Sequence, residues 1–322
     1  MTHQLTAVPI GADMQDDGKV AILLGTFNGA AYLAEQLASI AAQEHASWAV
    51  WASDDGSHDG TQAILDAFGR QWGDARLSVV AGPRKGFAAN FLSLACRPGI
   101  DAEYFAFADQ DDIWAPGKLR RALAWLKSVP RDTPALYCAR TQLVDADNHD
   151  LGLSPLFSVT PGFRHALVQN IGSGNTMVFN AAARRLLSEA GADVNVAAHD
   201  WWTYLVVSGC GGRVFYDPEP SVRYRQHAGN AIGVKSGLRH RLARLRRILG
   251  GRYKAWNDAN LDGLAPLRGS LTRENRNVFD KFSQSRRKWL VPRVTGVIGA
   301  RVVRQDAAGR IGLLAGSILK RI

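Results

Sequence analysis

Short apolar runs alternate with helical periodicity through the first half of the chain, and most runs end in polar residues. Val20–Leu24 is unbroken and apolar, the pattern of a strand buried on both faces. It gives way to the loop Gly25-Thr-Phe-Asn-Gly29. Between Ala30 and Ala42, Leu33, Leu37 and Ile40 recur at helical spacing. Trp48–Ala52 predicts a second strand, closed by Ser53-Asp-Asp-Gly-Ser57. A helix follows over Thr61–Phe68, with Ile64, Leu65 and Phe68 on one face. Leu77–Val80 predicts a third strand, Gly82–Gly86 a loop, and Phe87–Ala95 a helix. Tyr104–Ala108 is a strand that runs straight into Asp109-Gln-Asp-Asp112. Pro116 then suits a helical first turn, continued by Leu119, Leu123 and Leu126. Ala135–Ala139 is a further strand. The remaining expectations are a strand over Gly172–Asn180, helices over Ala181–Ala190 and Asp200–Ser208, and a last strand over Arg213–Tyr216.

This alternation predicts an α/β fold with a mostly parallel sheet flanked by helices. Three segments are expected: a disordered leader over 1–18, a catalytic α/β domain over 19–235, and a basic, mainly helical C-terminal extension over 236–322. In the extension, Arg239, Arg241, Arg244, Arg246 and Arg247 interleave with Leu242, Leu245 and Ile248 as a basic amphipathic helix.

The net charge of +10 suits an anionic partner: nucleic acid, anionic lipid or a phosphorylated substrate. No nucleic-acid motif accompanies the charge, so nucleic acid is not expected. The basic helix fits peripheral contact with an anionic membrane, or a solvated helix packed on the domain. No run reaches the roughly 18 apolar residues that span a bilayer, and residues 1–18 lack the pattern of a secretory signal. The expected location is cytoplasmic, with peripheral attachment at the inner face of the cell membrane. Cys96, Cys138 and Cys210 have no motif partners and read as small buried side chains.

Chemistry concentrates at strand ends, where open α/β sheets bind ligands. The first strand ends in Thr26-Phe27-Asn28, the second in Asp54-Asp55, and a later one in Asp109-Gln110-Asp111-Asp112. Crowded carboxylates repel unless a cation sits among them. Mg²⁺ or Mn²⁺ is commonly held by one or two carboxylates plus substrate phosphates. The alternative is a solvated acidic turn capping the next helix. A carboxylate at Asp54-Asp55 can accept the N3–H of uracil or thymine, with Phe27 stacked on the base. The alternatives there are a helix cap and an ordinary core aromatic. Arg84 and Lys85 place positive charge beside a diphosphate, or face solvent.

Four motifs in order, LLGTFNG, WASDDGSHDGT, FAFADQDDIW and AAHDWW, resemble glycosyltransferase family 2, with its GT-A fold, across Val20 to Gly233. DQDDIW, NIGSGNT and YRQHAGN look most like bacterial rhamnosyltransferase-type members, which build surface polysaccharides. The resemblance implies that Phe27 and Asp55 hold the nucleobase, with Thr26 and Asp54 beside them and Asn28, Lys85, Asp109 and Gln110 completing the donor site. Asp109 and Asp111 match the D-x-D metal motif, and His227 lies where a basic or metal-facing group meets the diphosphate. Asp200 matches the catalytic base; helix capping is its structural alternative. Trp114, His199 and Trp201 are candidates for the acceptor side, with core packing as the alternative for Trp201.

The implied reaction is an inverting displacement. A hydroxyl of a glycan or lipid-linked glycan attacks a nucleotide-diphospho-sugar, best matched by dTDP-rhamnose. A base takes the hydroxyl proton, and Mg²⁺ or Mn²⁺ stabilises the leaving diphosphate. Two other expectations stand beside it: a sugar nucleotidyltransferase, though Gly25–Gly29 lacks the basic Gly-rich phosphate loop, and a silent sugar-nucleotide-binding protein of the same fold.

Overall fold

The computed structural model describes residues 18–227 and 252–322. A seven-stranded sheet forms its centre. The strands are β1 (Val20–Thr26), β2 (Trp48–Asp54), β3 (Leu77–Ala81), β4 (Tyr104–Asp109), β6 (Ala135–Ala139), β9 (Val178–Asn180) and β10 (Arg213–Asp217). Their order is β10-β6-β9-β4-β1-β2-β3. All neighbours are parallel except β9, which runs antiparallel between β4 and β6.

The period-two geometry of strands divides the apolar residues of β1 between two cores. Val20, Ile22 and Leu24 pack with α1 (Leu33–Ala41), α2 (Thr61–Trp72) and α4 (Lys118–Leu126). Ala21 and Leu23 face the opposite core, which holds α3 (Phe87–Ala95), the short α5 (Phe163–Ala166), α6 (Ala181–Ala190) and α7 (His199–Gly209). An apolar run with no polar interruption follows from burial of both faces.

A small second sheet joins β5 (Ile113–Trp114), β11 (Val222–Arg225), β7 (Gln142–Val144) and β8 (Asp150–Leu153), in the order β5-β11-β7-β8. None of its strands follows from the hydropathy pattern, because all are short, and β8 and β11 also carry charge. Pairing of β11 with β5 brings Tyr224-Arg-Gln-His227 against the acidic segment that ends β4.

The strand expected over Gly172–Asn180 is corrected: only Val178–Asn180 pairs, and Gly174–Thr176 is a 3₁₀ turn. Close packing sets this turn. A Cβ on Gly174 would lie 2.5 Å from His199 Nε2.

Four further helices follow: α8 (Arg252–Leu264), α9 (Arg273–Arg287), α10 (Leu290–Gly299) and α11 (Ala307–Ile318). Leu261, Leu264, Phe279 and Phe282 join the same core as α7. The C-terminal helices are thus packed on the sheet's own core. Residues 1–17 of the leader expected over 1–18, the boundary near 235 and the basic helix expected at Arg239–Ile248 lie outside the described residues.

Candidate active site

The carboxyl ends of β1, β2 and β4 open into a cavity of about 500 Å³. Thr26, Phe27, Asp55, Asp109, Gln110, Asp111, His199 and Asp200 all line it. The sequence places these residues far apart; the parallel register of β1 with β2 and β4 brings their ends together.

At one end, the two adjacent aspartates do different work. Asp54 is buried and accepts hydrogen bonds from Thr26 Oγ1 (2.9 Å), Ser57 N–H (2.9 Å) and Ser57 Oγ (2.5 Å). Burial pushes its carboxyl up, but the bonds from Ser57, Gln62 and Thr26 outweigh burial and hold it below the usual range. It braces the loop and does not line the cavity. Asp55 does, accepting the backbone N–H groups of Arg84 (2.5 Å) and Gly86 (2.9 Å).

Phe27 is held by its backbone. Its N–H donates to Gln110 Oε1 at 2.8 Å, and its carbonyl accepts from Gln110 Nε2 at 2.9 Å. The clamp requires Gly29, where a Cβ would meet Gln110 Oε1 at 2.2 Å. Phe27 is left 54% exposed and lines the cavity. Asn28 takes a left-handed backbone, φ 48°, and its side chain accepts from His58 N–H at 2.9 Å. It shapes the turn and does not line the cavity. Lys85 is also displaced from its expected place: its amine faces Asp193 at 3.1 Å, and both are exposed. Arg84 lines the cavity instead.

The acidic segment has a fixed back and a free front. Asp112 is fully buried, accepting from Asn175 Nδ2 and from the N–H of Arg225 at 3.1 Å. Burial, reinforced by Asp111 and Asp109, raises its carboxyl well above the usual range. Arg225 also donates from Nε to the carbonyl of Asp111 at 3.0 Å and pairs with Glu35. These bonds turn the Asp109 and Asp111 carboxylates to the cavity. Burial, with the charges of Asp111 and Asp200, pushes Asp109 up to about 8. His227 Nε2 lies 2.7 Å from Asp111 Oδ2.

Asp109 and Asp111 line the cavity and Asp111 touches His227; the three side chains are not drawn close enough to hold an ion by themselves, so a hard divalent cation fits here with a ligand's phosphates completing its shell. Among the described residues, one cluster is close enough to hold an ion with three side chains, namely Asp145, Asp147 and His149. It is an exposed turn, and Asp145 Oδ1 already accepts the N–H groups of Asp147 and His149.

Asp200 stands in the first turn of α7. Its Oδ1 accepts from Trp201 N–H at 2.6 Å, and its Oδ2 from Gly174 N–H at 3.2 Å. Burial pushes the carboxyl up, and bonds from Trp201, Asn170 and Gly174 moderate the rise to about 6. His199 is buried, stacked on Phe91 at 4.0 Å, and burial lowers it to about 3. Neither ring nitrogen has a partner among the described residues.

Asp200 also lines a second cavity, of about 350 Å³. Its walls are aromatic: Phe157, Trp201, Tyr216, Tyr224, Tyr253 and Trp256. Trp201 faces this side and anchors its indole N–H on the Ala166 carbonyl at 2.6 Å. Trp114, expected on the acceptor side, is a core residue instead. It is buried beneath the Lys118 ammonium, 3.5 Å from the ring centre. Strand pairing with β11 turns Trp114 inward.

The family model for glycosyl transferase family 2 matches residues 21–190, more than half of the chain. The chain belongs to glycosyltransferase family 2. A relative described as dTDP-rhamnosyl transferase RfbG, from Shigella flexneri, is 26% identical over 234 residues, 69% of this chain and 78% of the relative. The fold is that of solved GT-A glycosyltransferases. S. aureus TarS (residues 1–349) aligns with a TM-score of 0.54 at 15% identity, covering 94% of this chain and 88% of that one. The mannosyltransferase PcManGT from Pyrobaculum calidifontis, solved with GDP-Man and Mn²⁺, gives 0.52 at 18% identity, covering 94% and 86%.

The glycosyltransferase's site includes residues that sequence reasoning left without a role. Arg225 and Asn175 hold the acidic segment from behind. Both lie inside motifs used for the family likeness, YRQHAGN and NIGSGNT, and a buried polar side chain in such a motif is the signal that could have found them. Tyr253 and Trp256 of the second cavity carry no motif. The family match also sets aside the nucleotidyltransferase reading.

Proposed function

We propose that this glycosyltransferase moves L-rhamnose from dTDP-rhamnose to a hydroxyl of a glycan or lipid-linked glycan, with inversion, in cell-surface polysaccharide synthesis. The observation that carries the reading is the position of Asp200, which lines both cavities. The donor occupies the cavity at the strand ends and the acceptor the aromatic one. Aromatic walls suit the apolar faces of sugar rings, and the aromatic cavity opens directly on the base.

In the donor cavity, Phe27 stacks on the base and Asp55 accepts its N3–H. Arg84 meets the diphosphate. Asp109, Asp111 and His227 would hold Mg²⁺ or Mn²⁺, which when bound supplies positive charge to the leaving diphosphate. The acceptor oxygen forms its bond to the anomeric carbon as that carbon's bond to the diphosphate oxygen breaks. The breaking bond's electron pair leaves with the nucleotide diphosphate, and the hydroxyl proton passes to Asp200. Attack from the face opposite the leaving group inverts the centre. The likeness to the Shigella relative supports the choice of sugar.

A thermal-shift series with dTDP-rhamnose, UDP-glucose and GDP-mannose, each with and without Mn²⁺, tests the donor. A ligand bound by the native state raises the melting temperature. The proposal expects the largest rise with dTDP-rhamnose plus Mn²⁺. A larger rise with either other donor removes rhamnose.

A further inference from the structure

We infer that the paired ends of α10 and α11 form a docking tip for an anionic phospholipid membrane. Trp289, Leu290, Val291, Ile318 and Leu319 are each between 45% and 70% exposed. They belong to two segments, yet one buried side chain ties those segments together. Arg293 donates to the carbonyls of Lys288 at 2.9 Å, Ser317 at 2.6 Å and Ile318 at 3.0 Å. The start of α10 and the end of α11 therefore share one anchor, and their apolar side chains emerge at the same end of the helix pair. Along α11, Ile311, Leu314 and Ile318 recur at helical spacing and are all exposed, so the apolar surface continues as a stripe.

Single exposed apolar residues are ordinary; a cluster of this kind marks an interaction surface. Charge selects the partner. Lys288, Lys320 and Arg321 are exposed at the tip. From Ser283 to Ile322 the chain has nine lysines and arginines against one carboxylate, Asp306. Trp and aliphatic side chains edged by cations are the composition of surfaces that lie in the headgroup region of anionic bilayers. The same charge opposes contact between two copies through this face. No helix among the described residues is long and apolar enough to cross a membrane, so the tip rests in the interface. The inference does not depend on the identity of the donor sugar.

Co-sedimentation of the full chain with vesicles tests the inference. Binding is expected to phosphatidylglycerol-containing vesicles and to be weak with pure phosphatidylcholine. The double variant Trp289→Ser, Leu319→Ser and the charge variant Lys320→Glu, Arg321→Glu should each reduce bound protein roughly five-fold or more. Melting temperature and calorimetric nucleotide-sugar affinity should match the parent, which separates this result from any failure of the proposed reaction. Equal binding to both vesicle types, or full binding by both variants, overturns the inference. So does a parent protein that stays off vesicles but self-associates in sedimentation velocity, with the apolar variant monomeric.

Discussion

Asp111 Oδ2 and His227 Nε2 lie 2.7 Å apart, although 116 residues separate them in the chain. The contact exists because β11 pairs with β5, directly after the acidic segment. If the two side chains share a cation, their substitutions should act through metal. Asp111→Ala is expected to lower turnover about 100-fold or more. His227→Ala is expected to raise the Mn²⁺ concentration needed for half-maximal rate. A metal titration at saturating donor reads both, and an unchanged metal dependence in both variants would remove the assignment.

Gln110 is expected to act on nucleotide binding through Phe27, whose backbone it clamps with two hydrogen bonds. Gln110→Ala loses both while leaving the metal-facing carboxylates. Each such bond is worth about 1 kcal/mol net, so donor affinity should fall by up to roughly thirty-fold. Calorimetry with the nucleotide diphosphate measures this. Unaltered affinity would mean that Phe27 is placed without the clamp.

Asp54 and Asp55 separate stability from binding. Asp54 accepts hydrogen bonds within its own loop, so Asp54→Ala should cost about 1–3 kcal/mol of stability. Its folded carboxyl is held below the ordinary value of 3.8. The sign follows: its contribution is present above that value and is lost as pH falls through the lower folded one. Denaturant melts of parent and variant should converge in acid. Asp55→Ala should instead weaken nucleotide binding.

The pH profile of transfer should carry an acid limb set by Asp200. Burial moves its carboxyl up to about 6, so the proton-accepting form is lost as pH falls through that region, and the rate falls with it. The same raised value means that the folded protein is favoured when Asp200 is protonated and loses that contribution as pH rises. Asp200→Asn should therefore melt above the parent at pH 8. A flat rate profile between pH 5 and 8 would contradict this role.

The sheet and its strand-end chemistry were legible because burial on both faces leaves unmistakable apolar runs, as in Val20–Leu24, and because those runs end in side chains with few structural uses. The small sheet was not legible. Val222-Arg-Tyr-Arg225 is short and charged, and it is a strand only because Ile113, Trp114 and Gln142–Val144 offer partners. Trp114 illustrates another limit: its place beside an acidic cluster suggested a substrate wall, whereas pairing of β5 with β11 turns it into the core. Lys85 and Arg84 are adjacent cations, and only the left-handed backbone at Arg84, φ 56°, and its N–H bond to Asp55 distinguish their directions. The aromatic cavity draws Tyr253 and Trp256 from a distant helix, a convergence that no local pattern records.

The central claim is that Asp200, which lines both cavities, takes the acceptor's proton. Its most direct test is Asp200→Asn, measured for sugar transfer and, by calorimetry with Mn²⁺, for donor affinity. The account predicts transfer reduced about 1,000-fold with donor affinity within about two-fold of the parent, since the donor is held by Phe27, Asp55 and the Asp109–Asp111 pair. Transfer at the parent rate by that variant, with the donor bound normally, would contradict it.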